Sequence, residues 1–264
     1  MAPLSELKRI AARKSIALGV IEKDYAITWI LCAVSESPLK DRLVFKGGTA
    51  LRKAYFSGWR FSEDLDFTAT CPLTESELRD FIGMIGNYAA EKAGISIRIT
   101  SLHTNQEYAQ IKVQFTGPMN SKNTIKLDFS FNEQVILPPR KMKILSEYSD
   151  KGEHSILVYP LEEILAEKIR SILQRAKTRD YYDVWMLLKE HHARINPGVL
   201  HDVLIKKCKL KSIDFKKDHL FISSRIKPAE GYWKSALAHQ ITDLPDFKIV
   251  VKECKDLVDK LLKP

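Results

Sequence analysis

An acidic pair and a glycine pair lie close together within residues 44–68, VFKGGTALRKAYFSGWRFSEDLDFT. Alternate side chains of an extended strand share a face, so Asp64 and Asp66 point the same way and Leu65 points the other way. Two carboxylates this close repel each other unless a cation or hydrogen-bond donors compensate. Mg²⁺ prefers carboxylate oxygens and keeps several waters, so the pair predicts a metal site. The structural alternative is a surface pair on an edge strand.

A strand, a turn and a helix start precede the acidic pair. RLVFK predicts a short strand that ends at Gly47 and Gly48, and Thr49 is predicted to cap a helix running to about Phe56. Backbone N–H groups and the helix dipole can receive phosphate at such a start. The segment matches neither the P-loop nor the dinucleotide-binding fingerprint. We therefore expect a phosphate site next to the metal site.

A third carboxylate comes from IKLDFSF, in which Asp128 alternates with Lys126 and Ser130 on one face of a predicted strand. Three carboxylates on neighbouring strands, holding two Mg²⁺ ions, would suit in-line attack on a phosphate. The alternative is that Asp128 pairs with Lys126 or with a neighbouring strand.

Two charged residues of the second half of the chain lie on or beside apolar helix stripes. Lys168 is four residues from both Ile164 and Ile172, and should point inward. Its ammonium either meets a triphosphate as a point charge, or reaches solvent or a carboxylate while its stem packs. Asp183 follows Arg179 by four residues, and a local ion pair would explain that spacing without catalysis.

The chain divides into a mixed half and a helical half. Residues 74–94 predict a helix with Thr74 and Glu77 as a capping box and Gly94 as its end, and three strand-like runs follow, ISIRITSL, YAQIKVQFTG and NTIKLDFSF. From Pro160 onward the helical segments are LEEILAEKIRSILQRA, RDYYDVWMLLKE, NPGVLHDVLIKKC, YWKSALAHQI and FKIVVKECKDLVDKLL. The boundary is predicted near residues 150–160, giving domains 1–155 and 156–264.

Composition adds expectations about partners and compartment. A net charge of +9 and a pI of about 9.2 favour a polyanionic partner. Four cysteines without metal-binding spacing predict a reduced compartment and no structural zinc, and the lack of a signal peptide or a long apolar run predicts a cytoplasmic protein with no membrane partner. Two basic runs are either RNA-backbone contacts or solvated surfaces. Their residues are Arg140, Lys141, Lys143, Lys206, Lys207, Lys209, Lys211, Lys216 and Lys217.

Together these segments resemble the AbiEii/AbiGii-type nucleotidyltransferase toxins, a family that includes the MenT toxins of mycobacteria. The matching pieces are FKGGTALRKAY, RFSEDLDF, KLDFSF, EEILAEKIRSILQRAKTRDYYDVWML and DFKIVVKECKDLVDKLL, in order from Phe45 to Leu262. The combination is specific, although each fragment alone would be weak.

The resemblance implies an α+β fold with a polymerase-β-like nucleotidyltransferase core, a mixed sheet with flanking helices, followed by a helical C-terminal region that completes the active site. It implies a Mg²⁺-dependent enzyme that moves a pyrimidine nucleotide, from CTP or UTP with CTP favoured, to the 3′ end of tRNA and so blocks aminoacylation. It also implies a cognate antitoxin that is encoded nearby and silences the toxin without necessarily touching it.

The resemblance also assigns roles by matching position. Nucleotide binding falls to Lys46, Gly47, Gly48, Thr49, Ser62 and Lys168. Catalysis falls to Asp64, Asp66, Lys168 and Asp183, and metal binding to Asp64, Asp66 and Asp128. In this scheme Asp183 orients Lys168 or the attacking hydroxyl, or acts as general base. Two alternatives remain open: a kinase-like phosphotransferase on the same fold, and a non-catalytic nucleotide- or RNA-binding module whose acidic pair is structural.

Overall fold

Two compact units make up the chain, and the computed structural model describes residues 2–262. The first unit runs to Val135 and resumes from Pro139 to Val158, and the second comprises Ile136–Pro138 and the residues from Tyr159 onward. Within the described part of the chain, no helix combines the length and the apolar character needed to cross a membrane.

The first unit is built on one seven-stranded sheet. Its elements in chain order are α1 (Leu4–Lys14), α2 (Leu18–Glu36), β1 (Leu43–Lys46), α3 (Gly47–Ala50) continuing as a π-helical turn (Leu51–Tyr55), β2 (Asp64–Ala69), α4 (Glu75–Ala93), β3 (Ser96–Thr104), β4 (Tyr108–Thr116), β5 (Lys122–Ser130), β6 (Arg140–Lys143) and β7 (Ser155–Val158). The strand order is β3-β4-β5-β2-β1-β7-β6. Strand β2 runs parallel to β5, and β1 runs parallel to β7, whereas the other neighbours are antiparallel. The sheet is therefore mixed, as expected for the α+β class.

One face of this sheet is apolar and the other carries the acidic residues. On the apolar face the rings of Phe67 and Phe129 stack with their centroids 5.6 Å apart, and Phe81 of α4 meets Phe129 edge-on at 6.1 Å. Aromatic burial of this kind is a major part of the energy of a core. Because side chains alternate along β2 and β5, the same packing turns the aspartates of both strands toward the opposite face.

The predicted helix at residues 74–94 is confirmed, including both of its ends. The Thr74 hydroxyl accepts a hydrogen bond from the Glu77 backbone N–H, Glu77 reaches back to Thr74, and Gly94 ends α4 in a left-handed conformation. The prediction for Thr49 is wrong, because α3 already begins at Gly47. Thr49 is buried, and its hydroxyl donates to the backbone carbonyl of Asp64 instead of capping the helix.

A buried cluster of charged residues fixes the segment that follows the glycine turn. Asp24 of α2 accepts hydrogen bonds from Arg52 Nε at 2.7 Å and from Lys53 Nζ at 2.6 Å. Tyr148 donates its hydroxyl to the same carboxylate at 2.9 Å, and Lys53 also donates to the Thr28 hydroxyl at 2.8 Å. All three charged side chains are at most 5% exposed. Burial works against the charged form of Asp24, but the two cations outweigh it and hold the pKa of Asp24 well below its ordinary value.

The second unit is helical in its described part. Its helices are α5 (Leu161–Arg175), α6 (Thr178–His191), α7 (Pro197–Lys209), α8 (Ser223–Gly231), α9 (Trp233–Leu237) and α10 (Phe247–Leu261), with single 3-10 turns at His192–Arg194 and Lys217–Phe221. Asn196 caps α7 by accepting from two backbone N–H groups, and Asp246 caps α10 in the same way. The segment YWKSALAHQI forms only the short helix α9, so the predicted helix was too long.

Candidate active site

A row of polar side chains crosses four neighbouring strands on the face opposite the aromatic core. Asp66 of β2 lies opposite Lys46 of β1 on one side and opposite Asp128 of β5 on the other, and Asp128 lies opposite Gln110 of β4. Directly opposed residues of a sheet have their Cβ atoms about 4.5–5.5 Å apart. The parallel pairing of β2 with β5 therefore brings Asp66 and Asp128 together, although 61 positions separate them in the sequence.

The glycine turn approaches this row closely. Gly47 has φ of 78°, and a Cβ atom placed on it would lie 2.5 Å from Oδ2 of Asp66. That distance is shorter than real contacts of a Cβ atom, so a side chain at position 47 would displace the Asp66 carboxylate. The conformation also favours glycine over any residue that carries a Cβ atom. The turn thus brings bare backbone to the carboxylate.

Lys126 lies among the carboxylates of this face. It is opposite Asp64 in the sheet, and its Nζ is 2.8 Å from Oδ2 of Asp128. Partial burial works against the charged form of Lys126, but the hydrogen bond that Lys126 donates to Asp128 and the nearby negative charges together outweigh it and raise the pKa of Lys126. The charges of Asp64 and Asp66 act in the same direction.

The residues of the acidic pair fit a hard divalent cation. Asp64 and Asp66 are both partly exposed, and the carboxylate of Asp66 lies against the backbone of Gly47. Mg²⁺ is typically held by one or two protein carboxylates, with waters and substrate phosphates completing its coordination. Between Ala2 and Leu262, no group of three or more His, Cys, Asp or Glu side chains has the arrangement of a metal site. Asp64 and Asp66 are therefore the carboxylates of this face that could bind a divalent cation.

Asp128 has the contacts that the structural alternative required. One of its carboxylate oxygens pairs with Lys126, and the other accepts a hydrogen bond from the Gln110 side chain at 2.9 Å. Gln110 was not among the predicted residues, because its position depends on the pairing of β4 with β5. Its alternation with Ile111 was the one signal available in the sequence.

The other residues of the first unit that were predicted to bind phosphate are all buried. Lys46 is 7% exposed, Gly48 and Thr49 are buried, and Ser62 is buried two residues before β2. The hydroxyl of Thr49 ties the turn to the Asp64 backbone, so the start of α3 and the start of β2 are held together. The structure thus brings six of the predicted residues of the first unit together, Lys46, Gly47, Thr49, Asp64, Asp66 and Asp128.

Lys168 and Asp183 belong to the second unit, where they form an ion cluster. Lys168 Nζ is 2.9 Å from an oxygen of Asp183 and 2.9 Å from an oxygen of Asp180. Both aspartates are on α6 and are almost fully buried, whereas the Lys168 side chain is 13% exposed. Asp183 is thus paired with Lys168 of α5. Asp180 was missed as a partner, although its spacing to Asp183 places both on one side of α6.

The basic runs contain one residue that cannot contact RNA. Lys207 is fully buried, with Nζ 2.9 Å from Glu163 and 3.1 Å from Glu167. A charged group excluded from water in this way is a structural ion pair, so neither alternative, RNA contact or solvated surface, holds for Lys207. Lys206 and Lys209 of the same helix are exposed, as are Arg140 and Lys141 on the edge strand β6.

Comparison with known proteins identifies the family. Residues 29–260 match the family described as "Nucleotidyl transferase AbiEii toxin, Type IV TA system". The fold is similar to that of MenT4, a nucleotidyltransferase toxin from Mycobacterium tuberculosis H37Rv, with a TM-score of 0.74 and 17% sequence identity over 100% of this chain and 91% of the other. This likeness confirms the predicted fold class. The curated proteins contain no match to the sequence. Because the family match spans most of its length, the chain belongs to the AbiEii nucleotidyltransferase toxins of type IV toxin-antitoxin systems.

Proposed function

We propose that this nucleotidyltransferase moves a pyrimidine nucleotide, with CTP favoured, from an NTP to the 3′ end of tRNA and so prevents aminoacylation. The observation that supports the reaction centre is the contact between the glycine turn and the acidic pair, where the lack of a side chain at Gly47 lets the backbone approach the Asp66 carboxylate. In the reaction, the 3′-hydroxyl oxygen attacks the α-phosphorus, the bond to the bridging oxygen breaks, and pyrophosphate leaves.

The triphosphate is held by the turn. Backbone N–H groups at Gly48 and Thr49 are available at the start of α3, where anions are favoured. Lys46 brings a positive charge to the same place, and Ser62 lies two residues before the start of β2. The short distance from this turn to Asp66 supports a binding mode in which the phosphates lie next to the acidic pair.

Asp64 and Asp66 hold Mg²⁺ in this proposal, with Asp128 as a third, weaker candidate. When bound, the ion supplies positive charge to the phosphate oxygens and lowers the barrier to in-line displacement. Asp128 is the weaker candidate because Lys126 and Gln110 already occupy its oxygens. Asp64 and Asp66, both partly exposed, are the better donors.

Lys168 and Asp183 are assigned from the family's motifs. Lys168 neutralises phosphate charge, and Asp183 orients it. The ion pair of 2.9 Å between them supports the orienting role over the role of general base, because a buried carboxylate already paired with an ammonium is a poor acceptor for the hydroxyl proton.

The acceptor and its cellular setting rest on charge and on the family. The net charge of +9, together with exposed basic residues such as Arg140, Lys141, Lys206 and Lys209, supports a polyanionic acceptor. tRNA is such a polymer, and its free 3′-hydroxyl is the nucleophile that the reaction needs. We place the enzyme in the cytoplasm, with its antitoxin encoded nearby.

Labelled nucleotides test the proposal directly. The purified chain is incubated with total tRNA and Mg²⁺, with each of the four α-labelled NTPs in turn and with γ-labelled CTP and ATP in parallel. We expect the α label on tRNA, most strongly from CTP, with the γ label released as pyrophosphate. Transfer of the γ label alone would identify a phosphotransferase, and the lack of α label on tRNA with all four NTPs would overturn the tRNA assignment.

A further inference from the structure

Lys126 belongs to β5 and lies on the face of the sheet that carries the aspartates of β2 and β5. Its backbone lies opposite Asp64, and its side chain extends along β5 to place Nζ 2.8 Å from Asp128. The opposing residue of Asp128 is Asp66. One ammonium group thus faces a set of three carboxylates that come from two neighbouring strands.

The carboxylates need a cation in this arrangement. Like charges on directly opposed residues of a sheet destabilise it unless they are compensated. Gln110 fixes one oxygen of Asp128 from the outer side, at 2.9 Å, and leaves the other oxygen for Lys126. Lys126 is thus the counterion that β5 itself supplies to the acidic face.

A divalent cation at Asp64 and Asp66 and the ammonium of Lys126 repel each other, because both occupy the same field of negative charge. The ammonium of Lys126 can move toward water, since the side chain is 32% exposed and its four-carbon stem is flexible. A metal ion that binds must therefore displace the ammonium toward water or bind against its repulsion. Either route weakens metal binding.

We propose that Lys126 is an internal counterion of the acidic face that competes with the divalent cation and sets the metal affinity of the enzyme. This inference rests on the proposed function, because it takes Asp64 and Asp66 as the metal ligands. It predicts that the charge of Lys126 reduces the repulsion among the carboxylates, and that a divalent ion has to overcome the ion pair of Lys126 with Asp128 in order to bind.

Direct metal binding tests this competition without any reaction. Mn²⁺ accepts the same oxygen ligands as Mg²⁺, and its free concentration is measured by electron paramagnetic resonance during titration in the absence of nucleotide. We expect Lys126→Met and Lys126→Gln to bind Mn²⁺ about tenfold more tightly than the unaltered protein, because a repelling charge is removed. Lys126→Arg keeps the charge and should bind Mn²⁺ as the unaltered protein does.

Lys122→Met is the matched control, because Lys122 begins the same strand and is exposed, so the variant changes the net charge equally. It should leave Mn²⁺ affinity unchanged. Equal or weaker affinity in both Lys126→Met and Lys126→Gln overturns the inference, as does an equal gain in Lys122→Met.

The variant Asp66→Asn distinguishes a failure of the counterion role from a failure of the proposed metal site. If Mn²⁺ binding depends on Asp66 but not on Lys126, only the counterion role falls. If the unaltered protein and Asp66→Asn bind Mn²⁺ alike, the metal assignment of the proposed function falls and takes the counterion role with it. Far-ultraviolet circular dichroism of each variant confirms that a folded protein is compared.

Discussion

Two charge clusters of the first unit lie along the same short segment, residues 47–55, and differ in how far their charged side chains are exposed to water. Toward its end, Arg52 and Lys53 pair with Asp24, and all three side chains are at most 5% exposed. At its start, the turn meets Asp66, which shares a partly exposed face with Asp64 and with a third carboxylate on β5. The first cluster is closed and the second is open.

The difference supports a structural role for the closed cluster and the proposed chemical role for the open one. In the closed cluster each charge has partners within hydrogen-bond distance and is almost fully buried, so a ligand that bound these charges would have to break existing contacts. In the open cluster Asp64, Asp66 and Asp128 are all partly exposed, so water has access to them. Accessible carboxylates are the ligands that Mg²⁺ requires, and the bound ion in turn attracts phosphates.

Removing the centre of the closed cluster should have the largest effect of the changes to this segment. Asp24→Ala leaves two buried cations without a carboxylate, and should lower the free energy of unfolding by about 3–5 kcal/mol. Asp41→Ala is the matched control, because Asp41 is exposed and its loss should change stability by less than about 0.5 kcal/mol. Urea denaturation measures both. A loss below about 1 kcal/mol in Asp24→Ala would show that the cluster does not brace the segment.

Adding one methyl group at the open cluster should affect activity more than stability. Gly47→Ala pushes against the Asp66 carboxylate at 2.5 Å, and we expect nucleotide transfer to fall by about 10-fold to 100-fold because the reacting groups are displaced. Gly58→Ala is the control, since a Cβ atom there meets no atom within 4 Å. Initial rates of label transfer and urea denaturation of both variants provide the comparison. Equal rates in the two variants would mean that the close approach at Gly47 has no part in the reaction.

The smallest expected effect is a pH dependence that belongs to the closed cluster. Burial lowers the pKa of Lys53 to about 8, below the ordinary value of 10.5. Above about pH 8 the unfolded chain keeps a proton that the folded chain has lost, so stability should rise by about 1 kcal/mol between about pH 8 and pH 9. The same gain is lost as the pH falls through about 8. Lys53→Met should not show the rise in urea denaturation, and an identical rise in that variant would assign it to another group.

The sequence indicates the open cluster well and the closed one poorly. Alternation along DLDFT predicted that Asp64 and Asp66 share a face, because a strand has a strict two-residue period. Strand pairing has no such local signal, so the contact of Asp128 with Lys126 stayed one of two alternatives. The partners of Asp24 come from distant segments of the chain, and no local pattern predicts such a contact.

The predictions that failed also concern features that no local sequence pattern shows. Thr49 has the residue type of a helix cap, but the left-handed turn at Gly47 starts the helix earlier and turns the hydroxyl toward β2. Lys207 lies in a basic run, but its position on α7 turns it inward to two glutamates of α5. The strands β6 and β7 have only four residues each, too few for a period to be visible, and were not predicted.

The central claim is that the acidic pair on β2 is the reaction centre, and one substitution tests it most directly. Transfer of the α label from CTP to tRNA is measured for the unaltered protein, for Asp66→Asn and for the exposed control Asp41→Asn. The urea denaturation midpoint of each protein shows that the three are equally stable. We expect the rate of label transfer to fall about a thousandfold or more in Asp66→Asn and to stay unchanged in Asp41→Asn. Full label transfer by a folded Asp66→Asn protein would contradict the account.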